Sequence, residues 1–179
     1  LDNNIKKNIR FYTFYGAFFL NNYIRNGKST YYDENIETEI IKLNKIIRNS
    51  PPLDSKKVIF RFIKDDFFLK DLELNDTYIE NSFMSCTRKP NINTINNEFG
   101  FILMKIILPA NFKGCCLSIE SDSVFPKEKE IILAPGSKFK LKSINSDVDF
   151  YIFNDKNLRN IKKKYEFEFI GFNDIKIPK

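Results

Sequence analysis

The sequence predicts an α+β fold in which N-terminal helices pack on a mainly antiparallel core of two β-sheets. Apolar residues recur at helical spacing over the first fifty residues, and the remainder alternates between apolar and polar residues between turn-rich segments. Because the helices precede the strands, they are expected on one side of the sheets. A chain of 179 residues is long enough for a proper core, so we expect a single domain over residues 1–179.

Two helices are predicted before the first strand. The first spans residues 1–26, where the apolar pattern ends at Asn26-Gly27, and Gly16 weakens the middle of this pattern. The second is expected to have Asp33 as its N-cap and to end before residues 50–52, which read Ser-Pro-Pro. Its one-sided apolar stripe consists of Ile36, Ile40, Leu43 and Ile47.

Eight β-strands are predicted in the rest of the chain. Their boundaries follow from apolar runs or from alternation between apolar and polar residues, bounded by turn residues. The predicted strands cover residues 58–63, 81–87, 101–108, 114–119, 130–133, 138–144, 149–153 and 165–172.

The composition narrows the possible functions. There is no histidine, which excludes histidine-dependent catalytic triads and histidine metal sites. The three cysteines, Cys86, Cys115 and Cys116, lack metal-ligand spacing and suit buried thiols in a reducing cytosol. We therefore expect no metal cofactor. No apolar run approaches the length of a membrane-spanning helix.

The net charge of +6 favours an anionic partner only weakly, because lysines and acidic residues are interleaved along the chain. The densest basic run, residues 162–164, is too short to be a nucleic-acid-binding surface by itself. Nucleic acid is therefore not an expected partner.

Two glutamates stand out at the start of a predicted strand. Glu128 and Glu130 follow a polar, proline-containing loop and precede an apolar run that ends at Pro135-Gly136. Residues i and i+2 of a strand point to the same face, so both carboxylates would project together. The alternative interpretation is a solvated strand edge that carries charges.

Arg61 and Ser85 are the other unusual strand residues. Arg61 lies within the apolar run Val-Ile-Phe-Arg-Phe-Ile, where an arginine is costly to bury without a partner. It indicates an edge strand, an internal salt bridge, or a guanidinium placed for a phosphate or carboxylate. Ser85 lies in a strand of small residues, where hydroxyls usually only bond to the backbone or to neighbours.

In their order along the chain, these elements resemble the Arg-Ser-Glu class of mono-ADP-ribosyltransferases. The chain is most similar to the enzymatic components of actin-modifying binary toxins and to vegetative insecticidal proteins. Segments 12–13 and 20–25 resemble the first-helix signature of the family, and segment 59–61 resembles its arginine strand. Segment 83–87 resembles the aromatic-x-Ser-Thr-Ser strand, while 105–109, Gly114 and 125–139 resemble the catalytic loop and its surroundings.

The sequence departs from the family pattern at four positions. Cys86 and Thr87 replace the Thr and the second Ser of the serine strand, and Phe62 follows Arg61 where a glycine is common. Ala17 stands where an aromatic contact to the ligand is expected. None of these changes removes a catalytic group.

The resemblance implies NAD as co-substrate and assigns roles to seven residues. Glu130 would bind the ribose and stabilise the developing cation, Ser85 would orient Glu130, and Arg61 would hold phosphate oxygens. Glu128 would accept a proton from the incoming nucleophile or hydrogen-bond to it. A carboxylate at this position resembles the pattern of the arginine-modifying branch of the family. Tyr12 and Asn21 would contact NAD, and Phe125 would recognise the target.

The predicted function is therefore NAD-dependent mono-ADP-ribosylation of a protein acceptor on arginine, with release of nicotinamide. Actin or another host protein is the kind of acceptor that the resemblance suggests. Two alternatives remain open at this point. One is NAD glycohydrolysis at the same site, and the other is a catalytically silent basic binding module.

Overall fold

The structure is a computed structural model that describes residues 3–27, 35–89, 102–119, 121, 123, 129–146, 149–153 and 157–175. The helices are α1 (Asn3–Phe11), α2 (Ala17–Asn26) and α3 (Ile36–Arg48), and a π-helical segment, Tyr12–Gly16, joins the first two. The strands are β1 (Lys57–Ile63), β2 (Thr77–Glu80), β3 (Met84–Thr87), β4 (Ile102–Leu108), β5 (Leu117–Ser118), β6 (Glu130–Leu133), β7 (Ser137–Asn145), β8 (Asp149–Phe153), β9 (Asn157–Ile161) and β10 (Lys163–Phe172).

Eight strands pair in the order β2-β7-β10-β4-β1-β3-β6-β5. All of these pairs are antiparallel except β4 with β10. The pairing between β1 and β3 consists of a single register pair, Phe60 with Thr87. The strands therefore divide into a five-stranded sheet (β2, β7, β10, β4, β1) and a three-stranded sheet (β3, β6, β5). The predicted α+β fold with a two-sheet, mainly antiparallel core is confirmed.

The three-stranded sheet lies between the helices and the five-stranded sheet. Strand β6 shows this directly, because its four residues are all buried. Ile131 and Leu133 pack in the cluster between the two sheets, whereas Ile132 packs with the helices. The alternation of side chains along a strand allows one short strand to serve both cores.

The predicted first helix is confirmed up to Asn26, with Gly27 in the left-handed conformation at its C-cap (φ 64°). The π-helical segment ends at Gly16, where a Cβ would lie 2.9 Å from the carbonyl oxygen of Phe11. This close approach accounts for the glycine in the helix interior.

The N-cap prediction for the second helix is wrong. Helix α3 has Asn35 at its N-cap position, without a side-chain capping bond, and Asp33 lies outside the described residues. The stripe Ile36, Ile40, Leu43 and Ile47 is buried as predicted.

The strand predictions are corrected in four places. The predicted strand 81–87 shortens to β3, which begins only at Met84, because the Ser82 amide donates its hydrogen bond to the Glu80 carboxylate instead of to a neighbouring strand. The predicted strand 114–119 shortens to β5, because Gly114 has φ 74° and its backbone packs against Arg48. Strands β2 and β9 were not predicted; β2 pairs with β7, and β9, which is rich in polar residues, pairs with β8.

In the part of the chain that the structure describes, no helix is sufficiently long and apolar to cross a membrane.

Candidate active site

Ser85 and Glu130 meet where β3 and β6 pair. Thr87 lies opposite Glu130 and Ser85 lies opposite Ile132, so the two side chains are diagonal neighbours on adjacent strands. The Ser85 hydroxyl donates a hydrogen bond to Oε1 of Glu130. Glu130 is only 8% exposed. This bond fixes the orientation of a carboxylate that is largely shielded from water.

The backbone just before Glu130 is not extended. Lys129 has φ 52°, in the left-handed region, and its carbonyl oxygen accepts a hydrogen bond from the Arg88 amide at 3.2 Å. Strand β6 begins only at Glu130. The strand-spacing argument that placed Glu128 beside Glu130 therefore does not apply. Glu128 and Phe125 lie outside the described residues, so their predicted roles stay predictions.

Arg61 reaches the same strand from the centre of β1. Its Nη1 atom donates a hydrogen bond to the backbone carbonyl of Ser85 at 3.2 Å. Strand β1 pairs with β4 along its whole length and meets β3 only at Phe60 and Thr87, so Arg61 lies where the two sheets meet. The structure thus brings together all three predicted residues that it describes from the Arg-Ser-Glu pattern.

Tyr12 lies beneath this group of residues. It is 1% exposed, and its ring packs edge-on against Phe83 with the ring centroids 5.7 Å apart. Burial raises the pKa of Tyr12, and the negative charge of Glu130 raises it further. Tyr12 therefore supports the site as a neutral phenol, and its predicted contact with NAD stays a prediction.

Asn21 joins α2 to β3 by hydrogen bonds to Phe83, the residue that precedes the strand. Its Nδ2 donates to the Phe83 carbonyl at 3.0 Å, and its Oδ1 accepts from the Phe83 amide at 2.9 Å. An amide that bonds both backbone groups of one residue acts as an extra strand partner. Its predicted contact with NAD also stays a prediction.

Cys86 replaces a threonine of the family pattern and points into the core between the sheets. It is 4% exposed and packs in the same cluster as Ile131. Burial raises the pKa of the Cys86 thiol to about 12, although the nearby Arg61 opposes this shift. The thiol is therefore neutral and is not a candidate nucleophile.

A cavity of about 550 Å³ opens beside Arg61. Its volume falls within the range of roughly 300–1,000 Å³ that is typical of small-molecule sites. The lining residues are Arg25, Arg61, Phe62, Ile63, Lys64, Asp65, Phe68, Tyr78, Ile79, Glu80 and Asn81. Two guanidinium groups, from Arg25 and Arg61, therefore face one cavity.

Arg25 was not assigned a role from the sequence. It follows Asn21 by four residues in the first-helix pattern, which places the two side chains on the same face of α2. The spacing of four residues from Asn21 was the sequence feature that could have indicated a role for Arg25 in the site. Glu80 was also missed, because it stands at the end of a short strand that the sequence did not reveal.

Over the residues described, no group of three or more cysteine or acidic side chains is arranged to hold a metal ion.

The sequence of residues 1–165 matches the model of the ADP-ribosyltransferase exoenzyme family. The chain belongs to this family. NAD is the co-substrate of ADP-ribosyltransferases, so the prediction of NAD is confirmed at the level of the family.

One sequence relative is the uncharacterized protein R217 of Acanthamoeba polyphaga mimivirus, which is 35% identical over 176 residues. The match covers 91% of this chain and 24% of R217, so the chain spans about a quarter of that relative's length.

Two solved structures share the fold. C3stau2 from S. aureus, solved with NAD, has a TM-score of 0.72 and 17% sequence identity, with 95% of this chain and 88% of that chain covered. The enzymatic component C2-I of the C2 toxin from Clostridium botulinum has a TM-score of 0.70 and 16% identity, with 98% of this chain and 44% of that chain covered. The resemblance to toxin-type mono-ADP-ribosyltransferases is thereby confirmed for the fold and the family.

Proposed function

We propose that the chain transfers ADP-ribose from NAD to an arginine side chain of a protein acceptor and releases nicotinamide. The observation that carries the proposal is the hydrogen bond between Ser85 and Glu130, with Arg61 bonded to the backbone of the same serine. Three residue types that suit this reaction come from three different strands. They meet in a family whose members use NAD.

The reaction breaks the bond between the nicotinamide nitrogen and C1′ of the ribose. The bonding electron pair leaves with nicotinamide, and positive charge develops on the ribose, as in glycoside cleavage. Glu130 carries a negative charge held in one orientation by Ser85. Such a fixed charge stabilises the developing cation without reorganisation at the moment of reaction.

The diphosphate of NAD is assigned to the cavity beside Arg61. The guanidinium groups of Arg61 and Arg25 line that cavity, and guanidinium groups bind phosphate oxygens in bidentate fashion. Arg61 also touches the backbone of Ser85, so a diphosphate on Arg61 would lie close to the serine strand. This proximity would direct the nicotinamide ribose toward Glu130.

The arginine acceptor is inferred from Glu128. A carboxylate at this position can pair with a guanidinium and can accept the proton that a guanidinium nitrogen loses as it bonds to C1′. Phe125 belongs to the loop proposed to contact the acceptor protein. Because the chain acts on a protein in this proposal, a reducing cytosol that contains the acceptor is its expected site of action.

The test is incubation of the purified chain with labelled NAD and a eukaryotic cell lysate, beside Glu130→Gln. Glutamine keeps the oxygen that accepts from Ser85 but removes the charge, so the fold should survive while transfer falls by about 10²- to 10⁴-fold. Glu73→Gln, in an exposed turn, is the matched control and should label as the parent does. Mass spectrometry of the labelled band should locate ADP-ribose on arginine.

Three outcomes would contradict parts of the proposal. Equal labelling by the parent and Glu130→Gln would overturn the assigned chemistry. Modification of a residue other than arginine would overturn the acceptor assignment alone. Release of nicotinamide that depends on Glu130, without any labelled protein in lysates, would favour NAD glycohydrolysis.

A further inference from the structure

Glu80 is a buried carboxylate that the proposed reaction does not use. It ends β2, is 7% exposed, and lines the same cavity as Arg61 and Arg25. A buried charge is costly unless it is paired and hydrogen-bonded. Its position in the wall of a cavity that carries two guanidinium groups therefore needs an explanation.

The carboxylate of Glu80 is held by residues two positions away on either side. Its Oε1 accepts from the backbone amide of Ser82 at 3.0 Å and from the Ser82 hydroxyl at 2.5 Å. Its Oε2 accepts from the Tyr78 hydroxyl at 2.9 Å. The backbone carbonyl of Glu80 also accepts from the Gly136 amide at 2.7 Å. Both the main chain and the carboxylate of Glu80 are thus fixed.

Arg25 forms an ion pair with this fixed carboxylate. Its Nη2 donates to the Ser82 hydroxyl at 2.7 Å and lies 3.6 Å from Oε1 of Glu80. The Ser82 hydroxyl therefore links the guanidinium to the carboxylate in a chain of hydrogen bonds. The Arg25 side chain is 50% exposed and extends from the last turn of α2. Without such an attachment, a long exposed side chain would sample many rotamers.

We propose that Glu80 is a positioning residue that holds the Arg25 guanidinium beside Arg61 to receive the diphosphate of NAD. This inference rests on the proposed function, because it requires a dinucleotide in the cavity. A guanidinium has five N–H donors, so the contacts with Ser82 and Glu80 leave donors for phosphate oxygens. The rotamer entropy of Arg25 is then lost on folding rather than on binding, which strengthens binding of the ligand.

The test measures ligand affinity by calorimetry for Glu80→Gln and the parent. Glutamine keeps an oxygen acceptor for Ser82, and its amide can donate to the Tyr78 hydroxyl, but the charge that attracts Arg25 is lost. The Kd for NAD and for ADP-ribose should rise roughly two- to fivefold, as expected for a half-exposed ion pair. The Kd for nicotinamide riboside, which lacks phosphate, should not change. Glu73→Gln, which removes an equal charge from an exposed turn, should bind as the parent does.

A double-mutant cycle with Arg25→Ala separates positioning from a general structural effect. If Glu80 acts through Arg25, Glu80→Gln should have no further effect on the Kd for NAD once Arg25 is absent. An equal loss of affinity in both backgrounds would overturn the inference. Parental affinity of Glu80→Gln for NAD would overturn it as well and leave the proposed function intact. Failure of the parent chain to bind NAD would overturn both.

Discussion

The two ends of the candidate site are built differently. The reaction end consists of Ser85 and Glu130, which meet on paired strands in a largely buried position behind a left-handed residue, Lys129. The cavity end consists of Arg25, Arg61 and Glu80, where charged side chains surround an open space of about 550 Å³. One end fixes a single charge in one orientation, whereas the other presents two cations to a ligand. The first arrangement suits catalysis and the second suits binding.

This difference predicts that substitutions at the cavity end change the Kd for NAD, whereas substitutions at the reaction end change kcat. Arg61→Ala should raise the Kd for NAD about ten- to hundredfold, because hydrogen bonds to charged groups contribute about 1.5–3 kcal/mol. Glu130→Gln should instead lower kcat and leave the Kd for NAD nearly unchanged. The measurements are calorimetric titration with NAD and single-turnover release of nicotinamide.

Lys57→Ala, which removes a positive charge from the first residue of β1, is the matched control for Arg61→Ala. It should bind NAD as the parent does. If Arg61→Ala lost only kcat and kept the parental Kd, the assignment of the diphosphate to the cavity end would be wrong.

A smaller effect is expected at Ser85, which touches both ends through different atoms. Its hydroxyl holds Glu130, but Arg61 contacts its backbone carbonyl, which any residue would supply. Ser85→Ala should therefore lower kcat about tenfold, through loss of one charge-assisted hydrogen bond, and leave the Kd for NAD unchanged. Ser118→Ala, at an exposed position of β5, should match the parent in both constants. A rise in the Kd for NAD without loss of kcat would contradict this division of roles.

The sequence predicted some residues of both ends and missed others. The helices and most strands were predictable because their apolar periodicities are local, and Arg61, Ser85 and Glu130 were identified because their order along the chain resembles a family. The pair of Arg25 with Glu80 joins residues 55 positions apart, and no local pattern carries such a contact. The left-handed backbone of Lys129 was likewise hidden, because lysine is not a residue type that indicates a positive φ.

The cavity end also depends on a turn that no sequence pattern indicates. Asp65 and Phe68 line the cavity, and between them Asp66 Oδ2 accepts from Lys163 Nζ at 2.8 Å and from the Tyr165 hydroxyl at 2.5 Å. These contacts tie the turn after β1 to the start of β10. The hydrogen bonds from Lys163 and then from Tyr165 lower the pKa of Asp66 below its ordinary value.

The smallest predicted effect concerns the stability of this turn and its dependence on pH. Because the pKa of Asp66 is lower in the folded state, its carboxylate stabilises the fold above the unfolded pKa of about 4, and this stabilisation is lost as the pH falls through the folded pKa. Asp66→Asn should lower the free energy of unfolding by about 1 kcal/mol at pH 7. The difference from the parent should shrink as the pH is lowered below about 4.

Urea titrations across this pH range are the measurement, with Asp71→Asn, an exposed residue of the same turn, as the control that should match the parent throughout. If the free energy of unfolding of Asp66→Asn stayed below the parental value by the same amount down to low pH, the shape of the side chain, rather than its charge, would stabilise the turn. Because Asp66 does not line the cavity, its substitution should change the Kd for NAD less than that of Arg61 does. A loss of affinity for NAD as large as that of Arg61→Ala would show that binding at the cavity end requires its side chains in one fixed orientation, as the reaction end does for Glu130.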